Sequence, residues 1–191
     1  MPRSASLLGS DRRRLLAEGA VDLLAEEGAH GLTHRRLDRK LGLPEGSTSN
    51  VFSSRDELLA GALAALVDID LGAMGLDAPP EVRTPRQAAV VFGDVVSGWL
   101  APAARTRLVA RYELLLESSR RPALQEVFLA YRVQFASLAE WLAEAAGCDD
   151  PGRRGAELVA WADGVLLDHV AGPGSELDRD AIVDAVRRLL T

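Results

Sequence analysis

Cysteine is nearly absent: Cys148 stands alone in 191 residues, so no internal disulfide can form and no thiolate cage can hold a metal. That scarcity agrees with a reducing compartment. Lys40 is the only lysine among 22 basic residues, a bias expected of a GC-rich coding genome and uninformative about mechanism. The three histidines, His30, His34 and His169, fall on unrelated segments, and no acid–base or nucleophile cluster can be assembled around them. An enzyme is therefore not expected, nor a cofactor or a metal. No apolar run approaches the roughly 18 residues of a membrane span, and Arg12, Arg13 and Arg14 follow a short apolar patch, the reverse of a secretory leader. A cytoplasmic chain without membrane association is expected. What is abundant is apolar side chain, 48% of residues, enough for a buried core in one large domain or in a small module joined to a larger one.

The net charge of −6 is unevenly spread. Residues 1–60 carry nine basic and nine acidic side chains, leaving thirteen against nineteen beyond. From Thr33 to Arg55 the bases Arg35, Arg36, Arg39, Lys40 and Arg55 outnumber Asp38 and Glu45. A local positive patch on an acidic protein marks either a solvated face or a polyanion contact.

Apolar periodicity is helical throughout and no segment alternates like a strand. A first helix carries Leu15, Leu16, Gly19, Ala20, Leu23 and Leu24 on one face, with Ser10 as candidate N-cap and Gly28 as candidate stop. Thr33 caps a second of about two turns, ended by Gly42 before Pro44. A short third helix is expected over Glu45 to Phe52. Ser54 and Glu57 form a capping box that opens a longer fourth helix through Leu58, Leu63 and Leu66. After a break at Asp77, Ala78, Pro79 and Pro80, Thr84-Pro85 opens a fifth. A sixth runs through Leu108 to Leu116, and Pro122 opens a seventh. The Asp149-Asp150-Pro151-Gly152 loop leads to an eighth, and a Gly172-Pro173-Gly174 loop to a ninth. The expected fold is all-α: a three-helix head over residues 1–55 and a helical domain over residues 56–191.

The second and third helices are joined by only Gly42, Leu43 and Pro44, the short turn of a helix-turn-helix whose second helix enters a major groove. Gly28, Thr33, Leu37, Gly42, Gly46, Ser47, Phe52, Arg55 and Leu58 fall at the spacing of the TetR (tetracycline-repressor-like) family, which the chain resembles over residues 10–60. The stretch GLPEGSTSNVFSSRDELL, 42–59, is similar to a branch in which Ser-Asn replaces the usual tyrosine and its neighbour. Ser49 at the tyrosine position and Asp38 at a usually small apolar one depart from the pattern. The Asp163-Gly164 pair also resembles family members.

The resemblance implies a ligand-responsive repressor that binds a palindromic double-stranded DNA operator as a homodimer and is released by a small molecule with apolar surface. Arg35 matches a position that reaches a base edge in the family, and a guanidinium can meet guanine O6 and N7 with two hydrogen bonds; phosphate neutralisation is the alternative. Arg36, Lys40 and His34 fit backbone contact or plain solvation. Ser47, Thr48, Ser49 and Asn50 crowd short polar groups onto the recognition helix, and Gly46 permits close approach. Asn50 can pair with adenine N6 and N7 or bind backbone. Arg55 matches the family's phosphate anchor, and Phe52 reads as core.

In the second domain the resemblance implies an effector cavity, with candidates Phe92, Val96, Trp99, Leu108, Tyr112, Phe128, Tyr131, Phe135 and Trp161, although aromatics at helical spacing are ordinarily core. By the same analogy the last two helices form the dimer interface, through Ala162, Gly164, Val165, Ile182 and Val186. Dimerisation also follows from DNA itself, since one short recognition helix reads too few base pairs for useful specificity. The alternative function is a helical regulator or protein-interaction module that keeps the fold without binding DNA.

Overall fold

The structure is a computed structural model, describing residues 3–74, 80–172 and 177–191. Asp77, Ala78 and Pro79 of the expected break, and Pro173 and Gly174 of the last loop, lie outside the described residues. Among the described residues eight α-helices follow in order: α1 (Arg3–Gly31), α2 (His34–Lys40), α3 (Arg55–Met74), α4 (Pro85–Leu100), α5 (Arg105–Ser118), α6 (Pro122–Ala145), α7 (Pro151–Ala171) and α8 (Arg179–Leu189). A single 3₁₀ turn, Pro102–Ala104, precedes α5. No strand occurs among the described residues.

The count falls one short of nine because Glu45–Val51 forms consecutive turns instead of a regular helix. Gly46 at φ +92° breaks the helical run at its start, and the segment is too short to offset the cost of nucleation alone. Ser10 is not a cap: α1 already begins at Arg3. Gly28 does stop the regular helix, at φ 69° and ψ 179°, before a last turn to Gly31. Thr33, Thr84, Asp150 and Asp178 cap α2, α4, α7 and α8, each side chain accepting a backbone N–H. The box before α3 is redistributed. Ser54 Oγ accepts Glu57 N at 3.1 Å, while Glu57 Oε2 accepts Ser53 N and Ser53 Oγ at 2.8 and 2.9 Å.

The chain packs as two compact units, Met1–Asp70 with Val109–Leu129, and Leu71–Leu108 with Ala130–Thr191. The head read from the sequence lies within the first unit, which extends past it. That unit closes over Leu16, Leu23, Leu24, Leu37, Phe52, Leu58 and Leu63, all buried. In the second unit α8 packs on α4, so closely that a Cβ on Gly93 would lie 2.7 Å from Val183 Cγ2. A Cβ on Gly155 of α7 would lie 2.7 Å from the Glu140 backbone nitrogen of α6, and this approach requires glycine. Phe92 and Phe135 stack at 5.5 Å between ring centroids, and Trp99 lies 5.0 Å from Phe135.

Candidate nucleic-acid interface

Helix α2 divides its side chains cleanly. Leu37 and Asp38 are buried, His34 is half-buried, and Arg35, Arg36, Arg39 and Lys40 are exposed. A helix of seven residues keeps so much charge in water because its core demand is met by Leu37 alone. The turns 45–51 follow through Gly42 at φ 65°, and their exposed tip is Ser49 and Asn50.

Ser47 and Thr48 do not share that exposure. Thr48 is wholly buried and Ser47 6% exposed, so their expected place among the DNA-facing groups is corrected to an inward one. The reason is Asp38: its Oδ1 accepts Thr48 Oγ1 at 2.6 Å and Thr48 N at 2.8 Å, and its Oδ2 accepts Gly46 N at 2.8 Å. An acid at a usually apolar position thus caps the turns 45–51 from below. Burial pushes the Asp38 carboxyl up, but the bonds from Thr48 and Gly46, with the charge of His34, outweigh it and hold the group below its ordinary 3.8. Because the folded state holds it lower than the unfolded chain does, its stabilisation is complete above about pH 5 and is lost as pH falls through the folded value. Urea unfolding between pH 2 and 7 is expected to show that decline, and Asp38→Asn to flatten it.

The cations are less available than their number suggests. Arg36 Nη1 meets Glu27 at 2.6 Å, Lys40 Nζ meets Glu26 at 2.7 Å, and Arg35 Nε lies 3.5 Å from Glu45. Arg39 carries no ion pair among the described residues and is exposed, a DNA-facing candidate that the sequence reading left out of its site. Arg55 donates from Nη2 to Ala29 O at 2.5 Å and is half-buried, while Glu113 accepts Ala29 N at 2.8 Å. Both backbone groups of Ala29 are thereby held after the Gly28 break, and a phosphate would have to draw Arg55 out of that bond. His34 Nε2 donates to Phe52 O at 2.8 Å, a tie within the fold. Arg13, not among the expected site residues, lies over the Phe52 ring at 4.4 Å and donates to Val51 O at 3.2 Å and Glu57 Oε1 at 3.2 Å. No local pattern announces a contact 38 residues distant.

Among the described residues no group of three or more His, Cys, Asp or Glu side chains could hold a metal ion, and no helix is long and apolar enough to cross a membrane.

Residues 83–191 match the family model described as "Tetracyclin repressor-like, C-terminal domain". The chain belongs to the TetR family of transcriptional regulators. A transcriptional regulator of Rhodococcus sp. Rha1 shares its fold with a TM-score of 0.79 at 22% identity, covering 94% of this chain and 93% of that one. A TetR-family member from Streptomyces coelicolor A3 gives a TM-score of 0.75 at 27% identity, covering 94% and 98%. The multidrug binding protein EbrR, solved in complex with ethidium, gives 0.70 at 27% identity, covering 93% and 97%. Among curated protein sequences none matches.

In this TetR-family chain the nine effector-site candidates divide between the two units. Tyr112 and Phe128 lie in the first, and Phe92, Val96, Trp99, Leu108, Tyr131, Phe135 and Trp161 in the second. Phe92, Trp99 and Phe135 fill space against one another. The dimer candidates separate as well. Ala162, Ile182 and Val186 are at most 1% exposed within a single chain, so they are core, with Ile182 and Val186 on the helix that packs against α4. Gly164 is exposed with nothing within 4 Å of an added Cβ, and Val165 is half-buried. Leu167, not anticipated, is 48% exposed beside them in sequence.

Proposed function

We propose that this TetR-family regulator is a cytoplasmic homodimeric repressor whose heads, residues 1–55, grip a palindromic operator until a small molecule with apolar surface enters residues 56–191. The observation that carries the reading is the exposed Ser49–Asn50 tip following a helix with four exposed cations, on a head whose other face is apolar and buried. Asn50 and Arg35 read base edges in this scheme, and Arg36, Arg39 and Lys40 neutralise phosphates. The exposed face of α7 around Gly164 and Leu167 supports a dimer contact, where a bare glycine lets a second backbone come close. The binding of ethidium by EbrR supports an effector with a flat apolar surface. Linkage then requires DNA to weaken effector binding by the same factor by which effector weakens DNA.

Selection of the purified protein against random duplex DNA, followed by affinity at several salt concentrations, tests the reading. A palindrome should be enriched, with an affinity that falls steeply as salt rises. Arg35→Ala and Asn50→Ala are expected to relax base preference, each by roughly 1–3 kcal/mol. Arg39→Ala should instead weaken all sequences alike and flatten the salt slope. Uniform losses from all three would remove the base-reading assignment.

A specific observation favours a second reading, a regulator that keeps the fold without DNA: Arg36 and Lys40 are already paired with Glu27 and Glu26. The two readings separate on Glu26→Gln with Glu27→Gln. Exposed pairs are worth about 0.2–1 kcal/mol each, so a DNA binder should gain roughly two- to thirtyfold in affinity when both are released. No gain, together with no enrichment, would favour the second reading.

A further inference from the structure

The turns 45–51 have too few internal bonds to hold a shape by themselves. Ser47 N bonds Pro44 O and Val51 N bonds Thr48 O, both three residues back. Asn50 N bonds Gly46 O and Phe52 N bonds Thr48 O, both four back. The two patterns are mixed and no run of consecutive helical bonds results. Both ends of the segment are nevertheless closed, by side chains from elsewhere in the head. At its start the free N–H groups of Gly46 and Thr48 meet the two oxygens of Asp38. At its end the free carbonyls of Val51 and Phe52 meet Arg13 and His34. Donors at the start and acceptors at the end are what any helical turn leaves unpaired.

We propose that Arg13, His34 and Asp38 are positioning residues that impose the reading conformation on residues 45–52, so that base preference depends on three side chains that need not touch DNA. The proposal rests on the DNA-binding reading above and deepens it. Asp38 is the centre of the device, because its two oxygens fix the spacing between Gly46 and Thr48 and so aim the next two residues, Ser49 and Asn50. Ser49 Oγ folds back on Gly46 O at 3.0 Å, which leaves Asn50 as the long polar group of the tip. Arg13 does two things at once, capping Val51 O and covering the Phe52 ring, which only a planar forked cation can combine.

The test compares Asp38→Asn, Arg13→Lys and Thr48→Val with the wild-type chain. Asparagine cannot accept on both arms, lysine keeps the charge but loses the fork, and valine removes only the hydroxyl bond. Affinity is measured for the selected duplex and for a random duplex, at two salt concentrations. Asp38→Asn and Arg13→Lys should lower affinity for the selected duplex by roughly tenfold and leave the random duplex within about twofold, since phosphate contacts are untouched. Amide hydrogen exchange, which needs no DNA, should show Gly46 and Thr48 losing protection in Asp38→Asn while Leu58 and Leu63 keep theirs. Equal losses on both duplexes, or unchanged exchange at Gly46 and Thr48, would overturn the proposal. Should Asp38→Asn fail to fold, Thr48→Val carries the same comparison with a smaller drop in the specific-to-random ratio, and an unchanged ratio overturns it equally. Failure of the wild-type chain to select any sequence would instead sink the DNA reading, and the exchange measurement would still decide whether the three side chains hold the segment.

Discussion

Phe52→Ala is expected to cost about 3–5 kcal/mol of stability and, under the proposed function, to abolish selective duplex binding with it. The ring is wholly buried among the core residues of the first unit, pressed so close to Gly61 that a Cβ there would lie 2.4 Å from it. Arg13 covers it at 4.4 Å. Deleting it removes the apolar contacts that anchor the end of the turns 45–51 and leaves a cavity that Gly61, lacking a side chain, cannot fill. Urea unfolding followed by circular dichroism measures the first effect, and the specific-to-random DNA affinity ratio measures the second in the fraction that stays folded. A loss under about 1 kcal/mol would mean that the head tolerates the cavity and that Phe52 is not the peg that holds the segment.

Phe92→Ala should cost a similar amount, about 3–5 kcal/mol, with no change in affinity for a selected duplex once the protein is folded. Phe92 is wholly buried and stacks on Phe135, which in turn contacts Trp99. Its neighbours are rings whose mutual geometry contributes beyond buried area. The fluorescence of Trp99 should shift as Phe135 relaxes toward the gap. In a chain of this length each kcal/mol lowers the melting temperature by roughly 2–4 °C, so the change is easily read by a thermal scan. A small loss would be informative in the other direction. It would mean that Phe92 borders open space, as a residue lining an effector cavity does, and it would move the proposed effector contact onto this side chain.

Much of the fold is legible in the sequence because helical burial repeats every three to four residues and caps are local. Thr33 and Thr84 sit where their side chains reach a backbone N–H three residues on, and Pro85 and Pro122 open their helices. Such signals need no knowledge of distant residues. The third helix of the head misled because a short polar run after Gly46 looks the same in sequence whether it closes into a helix or into successive turns. Ser47 and Thr48 looked exposed for a related reason: polarity marks what can face water, and a buried carboxylate ten residues away can reverse the preference.

The sequence by itself determined that the chain is all-helical, that a cluster of basic residues between Thr33 and Arg55 precedes an acidic region, and that Arg35, Ser49 and Asn50 stay at the surface. Those properties follow from composition and from interactions within a few residues. Only the tertiary structure decided that Asp38 caps the turns 45–51, that Arg13 and His34 close their other end, and that Glu26 and Glu27 already hold two cations of α2. It also decided that Ile182 and Val186 are spent on the chain's own core. These pairings join residues from eight to about ninety positions apart, and which side chains meet at such distances is set by how whole helices pack.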